Sequence, residues 1–322
     1  MAELLAPWRG RRVLVTGGGG FIGSHLVEAL LAGGAEVRVL DDFSTGFRSN
    51  LPAAGFDLVE GDLRDREACR RAVDGCALVL HQAALGSVPR SMADPATSLA
   101  VNVGGTANLF AEARDAEVER IVYASSSSVY GDDPGLPKQE GREGRPLSPY
   151  ALSKVMGEEL AEVFGRCYGL RLIGLRYFNV FGARQSPEGP YAAVIPRFFA
   201  AARSGEAPVI YGDGEQSRDF THVDDAVRAN LLAAVAPDSA CGRAYNVSGG
   251  RAVTINQLAQ KVRELAGGAE PVYEPPRSGD VRASLADLSL AGQALGYRAR
   301  VSFEDGLEGV CSYYLSDDAA GG

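Results

Sequence analysis

Two side chains one helical turn apart, Tyr150 and Lys154, could do proton chemistry together, and a run of four serines, Ser125 to Ser128, precedes them. A tyrosine phenol titrates at about 10, too high for a general base at neutral pH, but an ammonium beside it favours the phenolate and lowers that value. Ser148 and Pro149 make a good helix start, because serine caps free amides and proline's fixed φ suits the first turn. The spacing therefore predicts a helix from Tyr150, with phenol and ammonium on one face and within reach of one substrate atom. A Tyr-x-x-x-Lys pair alone is a common surface pattern, so its meaning rests on the elements that position it.

The first of these elements lies near the start of the chain. Arg12 to Thr16 is a run of strand formers that ends in Gly17-Gly18-Gly19-Gly20-Phe21-Ile22-Gly23. Ile22, Leu26, Ala29 and Leu30 then recur at helical spacing as far as Gly33-Gly34. Glycines at 17, 20 and 23 allow a tight turn, close approach of a diphosphate to amides at the helix start, and close packing of helix on strand. The G-x-x-G-x-x-G spacing departs from the G-x-G-x-x-G of the usual dehydrogenase fingerprint. The next strand, Val37 to Leu40, ends in Asp41-Asp42, where an acid meets the adenosine ribose 2'-hydroxyl, which favours NAD over NADP.

Strand and helix signals then alternate. Strands are expected at 57–60, 77–80 and 120–124, with helices near 66–73 and somewhere within 94–113. Such alternation implies an α/β fold, a doubly wound parallel (Rossmann) sheet with ligands at the carboxyl ends of its strands. Asp62-Leu63, Ala83 to Ser87 and the serine run all follow strands and converge at that mouth. A sixth strand is expected at 170–177. Beyond Gly182 the alternation thins into Pro- and Gly-rich turns, which suits a second, smaller substrate-binding domain. The expected division is an NAD-binding domain over 1–182 and a mainly substrate-binding domain over 183–322, with parts crossing back.

Composition narrows the classes. The chain has 322 residues, 46% hydrophobic and 23% charged, as in ordinary globular protein, and a formal charge of −9. That charge argues against general nucleic-acid or anionic-membrane binding, so any phosphate site must be local. No apolar run approaches a membrane span, and 1–10 lacks the pattern of a signal peptide, so the cytoplasm is the default location. The 5 cysteines and 3 histidines are scattered, which suits reduced thiols and offers no metal cluster.

Several motifs together resemble the extended short-chain dehydrogenase/reductases. They are the glycine turn, His81-Gln82-Ala83-Ala84, Asn102-Val103-x-Gly105-Thr106, Ser125 to Gly131, Pro149 to Lys154, Leu175 to Val180 and Ser217 to Phe220. Within that family the chain looks like a UDP-hexose 4-epimerase. It is most similar to the bacterial UDP-N-acetylglucosamine 4-epimerases, through Leu85 to Ser91 and Tyr191 to Pro196. The resemblance implies Tyr150 as acid/base, Lys154 on the nicotinamide ribose, and Ser126 on the sugar 4-hydroxyl, with Ser127 and Ser128 in the same pocket. It places Gly17, Gly20, Phe21, Ile22, Asp41, Asp62, Leu63, Ala83, Asn102 and Tyr177 on NAD. It places Ser87, Asn179, Ala193, Val194, Arg218, Arg277 and Ser284 on the UDP-sugar, the last as a small residue that leaves room for an acetamido group. Where many UDP-galactose epimerases carry a lysine near the cofactor phosphates, this chain has Gly86.

The implied activity is UDP-N-acetylglucosamine/UDP-N-acetylgalactosamine interconversion, extending to UDP-glucose/UDP-galactose, in a homodimer paired through the helix after Asp94 and the one at Tyr150. UDP-glucuronate 4-epimerase is the alternative substrate reading, and a non-catalytic NAD-binding redox sensor is the alternative of another class. Dehydratases and decarboxylases of the family carry a carboxylate beside the catalytic serine or threonine, whereas Ser126, Ser127 and Ser128 supply none.

Overall fold

The computed structural model describes residue 4 and residues 6–187, 192–276 and 281–316. Strands β1 (Arg12–Thr16), β2 (Glu36–Asp41), β3 (Phe56–Glu60), β4 (Leu78–His81), β5 (Arg120–Ser126) and β6 (Leu172–Tyr177) pair in parallel. The helices between them are α1 (Phe21–Ala32), α2 (Arg66–Val73), α3 (Val88–Ala93), α4 (Pro95–Leu99), α5 (Thr106–Asp115) and α6 (Pro149–Tyr168). β7 (Val180–Phe181), α7 (Val194–Ser204), β8 (Val209–Tyr211), β9 (Ser217–Asp219), β10 (Thr221–His222) and α8 (Val223–Val235) follow. The rest is β11 (Arg243–Val247), β12 (Ala252–Thr254), α9 (Ile255–Ala266), β13 (Val272–Glu274), α10 (Ser289–Leu295) and α11 (Phe303–Leu315).

The main sheet runs β11, β6, β5, β4, β1, β2, β3. The chain order reverses between β1 and β4, and a crevice opens at such a switch point. Alternate strand residues point to opposite faces, so each face buries its own core. Val13, Val15, Val39 and Leu80 meet Leu26 and Leu30 of α1, Ala229 and Leu231 of α8, and Leu295 of α10. Leu14, Val79 and Ile121 meet Cys69 and Val73 of α2, Leu109 and Phe110 of α5, and Ala161 of α6. The chain beyond Gly182 thus supplies β11, α8 and α10 to this layer. It also builds a smaller one around Phe181, Phe198, Phe199, Ile210, Leu258 and Leu307.

Two elements differ from the sequence expectation. The single long helix expected within 94–113 is broken into α4, a π-helical segment over Ala100–Gly105, and α5. An extra residue in a helical turn re-aims side chains, and here the re-aimed residue is Asn102. The unexpected α3 is a short helix, started by Ser87 and Pro89 and ended at Asp94, which caps α4 in turn. In α6, Ser148 accepts the Ala151 amide at 3.1 Å and Gly169 closes the C-terminus at φ 72°.

Candidate functional site

Two cavities hold most of the expected site residues. One, of about 190 Å³, is lined by Gly17, Gly20, Asp41, Asp62, Leu63 and Ala83, with residues 44–46 and Gln82. Gly17 has φ +69°, and a Cβ there would lie 2.7 Å from the Ala83 amide nitrogen. α1 begins at Gly20 with no side-chain cap, so its first amides, at Phe21 and Ile22, are open to an anion. Asp41 ends β2 and accepts the Gly19 amide at 2.7 Å and the Phe43 amide at 2.8 Å, which fixes its carboxylate at the floor. Burial nevertheless raises its pKa. An uncapped helix start, close-packed glycines and a fixed acid after the second strand together fit a dinucleotide.

The second cavity, of about 510 Å³, has the size of a small-molecule site. Ser87, Tyr150, Asn179, Ala193, Val194 and Arg218 line it, as do Gln185, Arg197, Tyr211 and Gln216. Arg197 and Arg218 are the charged members of the described wall, a local positive site in an acidic chain.

Tyr150 lies in the wall of the second cavity. Its amide donates to Ser91 Oγ at 3.0 Å, its carbonyl accepts Ser153 Oγ at 2.7 Å, and Ser126 lies beside its phenol. Ser126 ends β5 and also accepts the Ser128 amide at 3.1 Å, so the serine run turns around it. Ser127 and Ser128 open that turn, and the Ser128 hydroxyl is buried with no partner. Lys154 lies behind, its ammonium donating to the Ala124 carbonyl at 2.9 Å.

The Tyr150–Lys154 spacing predicts that this ammonium lowers the phenol's pKa. Burial raises the Tyr150 pKa, and Ser126 is the influence that lowers it. The ammonium is turned toward Ala124, 5.9 Å from the Tyr150 ring centre. Its own pKa drops from 10.5 to about 8 through burial, against the pull of Glu158.

Other expected residues take different places. Asn102 is absent from the described cavity wall. Its amide accepts from the Leu85 nitrogen at 2.8 Å and donates to the Leu85 carbonyl at 3.1 Å and to Ser153 Oγ at 3.0 Å, so it positions rather than lines. The buried Tyr177 phenol donates to Gln82 Oε1 at 3.1 Å and accepts from Asn230 Nδ2 at 2.6 Å. Ser284 is buried outside the described wall, its amide on the Ser217 carbonyl at 3.1 Å. Asn179, at φ 36°, donates to the Asp219 carbonyl at 3.0 Å. Arg277 lies outside the described residues.

Sequence reasoning missed a buried network under α6. Arg176 donates to both carboxylate oxygens of Glu158, at 2.9 and 2.7 Å, to Tyr130 Oη at 3.1 Å, and to Glu143. Glu158 also accepts from Ser125. It follows Lys154 by four residues, a spacing that would have revealed it. Gln185 was missed too: its Oε1 is buried without a partner while Nε2 donates to the Val180 carbonyl at 2.9 Å. Among the described residues no cluster could hold a metal ion, and no helix is long and apolar enough to cross a membrane.

A glycine turn at the switch point of a doubly wound sheet, with a Tyr-x-x-x-Lys pair whose tyrosine lines a second cavity, defines a nicotinamide-dependent enzyme of the extended short-chain dehydrogenase/reductase class. Residues 13–248 match the NAD dependent epimerase/dehydratase family, and the chain belongs to that family. The UDP-glucose 4-epimerase of Mycolicibacterium smegmatis is 37% identical over 310 residues, 94% of this chain and 98% of the relative. The UDP-N-acetylglucosamine 4-epimerase of Methanobrevibacter ruminantium, solved with UDP-N-acetylmuramic acid, is 37% identical, with a TM-score of 0.91 over 96% of this chain and 99% of that one. The UDP-glucose 4-epimerase of Thermus thermophilus, solved with NAD, is 39% identical, with a TM-score of 0.85 over 94% and 98%. The protein is accordingly an NAD-dependent enzyme of the UDP-sugar 4-epimerase type, an isomerase.

Proposed function

We propose that this enzyme inverts C4 of UDP-N-acetylglucosamine and UDP-N-acetylgalactosamine and also accepts UDP-glucose and UDP-galactose. The observation that carries this reading is Tyr150, with Ser126 beside its phenol, in the wall of a cavity whose described lining presents two arginines, no carboxylate, and the small Ala192 and Ala193. Arg218, Arg197, Asn179 and the uncapped start of α7 at Val194 would hold the diphosphate. A sugar anchored only through its nucleotide can turn over. Tyr150, with Ser126, would take the proton of the C4 hydroxyl and return it after the 4-keto sugar has turned. NAD, when bound, supplies reversible hydride acceptance at C4, so the cycle has no net redox change. Gly17, Gly20, Asp41, Asp62, Leu63 and Ala83 would hold it, with Lys154 toward its nicotinamide ribose.

A homodimer is part of the proposal. Leu152, Met156 and Val163 form an exposed apolar stripe on α6, beside Val88 and Met92 on the adjoining α3. A cytoplasmic location accords with five free cysteines.

The test is to follow C4 inversion on UDP-N-acetylglucosamine, UDP-glucose and UDP-glucuronate with purified protein and no added NAD. Acetamido and plain hexoses should turn over, and Tyr150→Phe should retain NAD while losing about 10²-fold or more in turnover. No acetamido turnover by the parent would defeat the substrate assignment, and no turnover at all would favour an NAD-binding sensor.

A further inference from the structure

The segment 42–50 runs from the end of β2 back across the glycine turn, and its residues 44–46 form one wall of the cofactor cavity. It is fastened to Gly19. The Phe47 amide and Asn50 Nδ2 both donate to the Gly19 carbonyl at 2.9 Å. Gly46 comes so close that a Cβ there would stand 2.7 Å from the Gly19 carbonyl carbon. The outer fastening comes from far along the chain. Arg184, just past β7, donates to the Asn50 carbonyl at 3.0 Å and grips both carboxylate oxygens of Glu28 on α1, at 2.9 and 2.7 Å. The next residue, Gln185, lines the substrate cavity.

Two non-glycine residues of this arrangement sit in the left-handed region, Phe43 at φ 54° and Arg184 at φ 66°. Such conformations are unfavourable and persist only where surrounding contacts demand them. At Arg184 those contacts are a bidentate carboxylate pair and a carbonyl, on a side chain largely shielded from water.

We propose that Arg184 is a cofactor-retention residue: it clasps the 42–50 strap and α1 together, so that bound NAD leaves only when this clasp opens. The inference rests on the chain's use of NAD and is independent of which UDP-sugar is the substrate. An enzyme that must keep its nucleotide through a full cycle gains from such a clasp. Its anchor beside Gln185 joins the cofactor strap to the substrate cavity.

The experiment loads the purified enzyme with isotopically labelled NAD and chases it with excess unlabelled NAD. Parent, Arg184→Ala, Arg184→Lys and Arg251→Ala are compared, the last breaking the exposed Arg251–Glu304 pair on α11. Amide hydrogen exchange over 44–50 is read in the same samples. Arg184→Ala should release label about tenfold faster or more, with faster exchange over 44–50. Arg184→Lys should fall between it and the parent, keeping the charge but not the fork. Where Arg184→Ala does not fold, the Lys variant carries the test. Release within twofold of the parent, an equal change in Arg251→Ala, or faster release without faster exchange over 44–50 would overturn the clasp. UDP-sugar turnover by the parent is measured separately, so either reading can fail without the other.

Discussion

The Lys154 ammonium donates to the Ala124 carbonyl at 2.9 Å, which ties α6 to the strand that delivers the serine run. The bond places a cation in a buried position with one carboxylate, Glu158, opposing the cost of burial. Because the folded pKa, about 8, lies below the ordinary 10.5, the unfolded chain binds the extra proton between those values. Stability should therefore rise with pH through that window, while below it the folded state carries the whole cost. Lys154→Met should be more stable than the parent at pH 7, by as much as about 3 kcal/mol. The gain should shrink toward zero by pH 10.5. Urea unfolding of NAD-free samples at pH 7, 9 and 10.5 measures it, and a gap that does not change with pH would show that the buried charge is not its source.

The Glu158–Arg176 pair bears on the same lysine. Arg176 is buried and Glu158 is half-buried, and removing one partner of such a pair leaves the other uncompensated, at a cost of up to about 3–5 kcal/mol. Glu158→Gln should lose stability on that scale, and Arg176→Met added to it should recover part of the loss. A double-mutant cycle by urea unfolding decides this, since purely additive losses would mean that the two residues do not act as a unit.

The doubly wound sheet and the helix that carries Tyr150 and Lys154 were legible in the sequence because their signals are local. Apolar runs of strand length, the glycine turn, and Ser148-Pro149 ahead of Tyr150 each declare themselves within a few residues. What depends on contacts across the chain was not legible. The phenol's pKa follows from burial and from Ser126, and the ammonium is aimed at Ala124, none of which spacing reveals. Asn102 stood in a recognisable motif, yet only the π-helical segment that carries it explains why its amide turns to Leu85 and Ser153. Arg184 meets Asn50 and Glu28 across more than 130 residues, a distance over which no periodicity speaks.

Asn102 separates the two kinds of reading most directly. As a cofactor contact, its removal would weaken NAD binding and leave turnover at saturating NAD nearly intact. As the structure has it, the amide holds both backbone groups of Leu85, in the loop that leads to Ser87, and holds Ser153, whose hydroxyl fixes the Tyr150 carbonyl. Asn102→Ala leaves the Leu85 amide and carbonyl without partners, at about 1–3 kcal/mol of stability. It should also lower turnover by about 10²-fold, because loss of registration at Tyr150 is felt in the proton transfer. Asn102→Asp, which can still accept from Leu85 but cannot donate to Ser153, should fall between the two. Turnover at saturating NAD and NAD affinity, measured on the same samples, give the answer: a loss confined to affinity would return Asn102 to the cofactor wall.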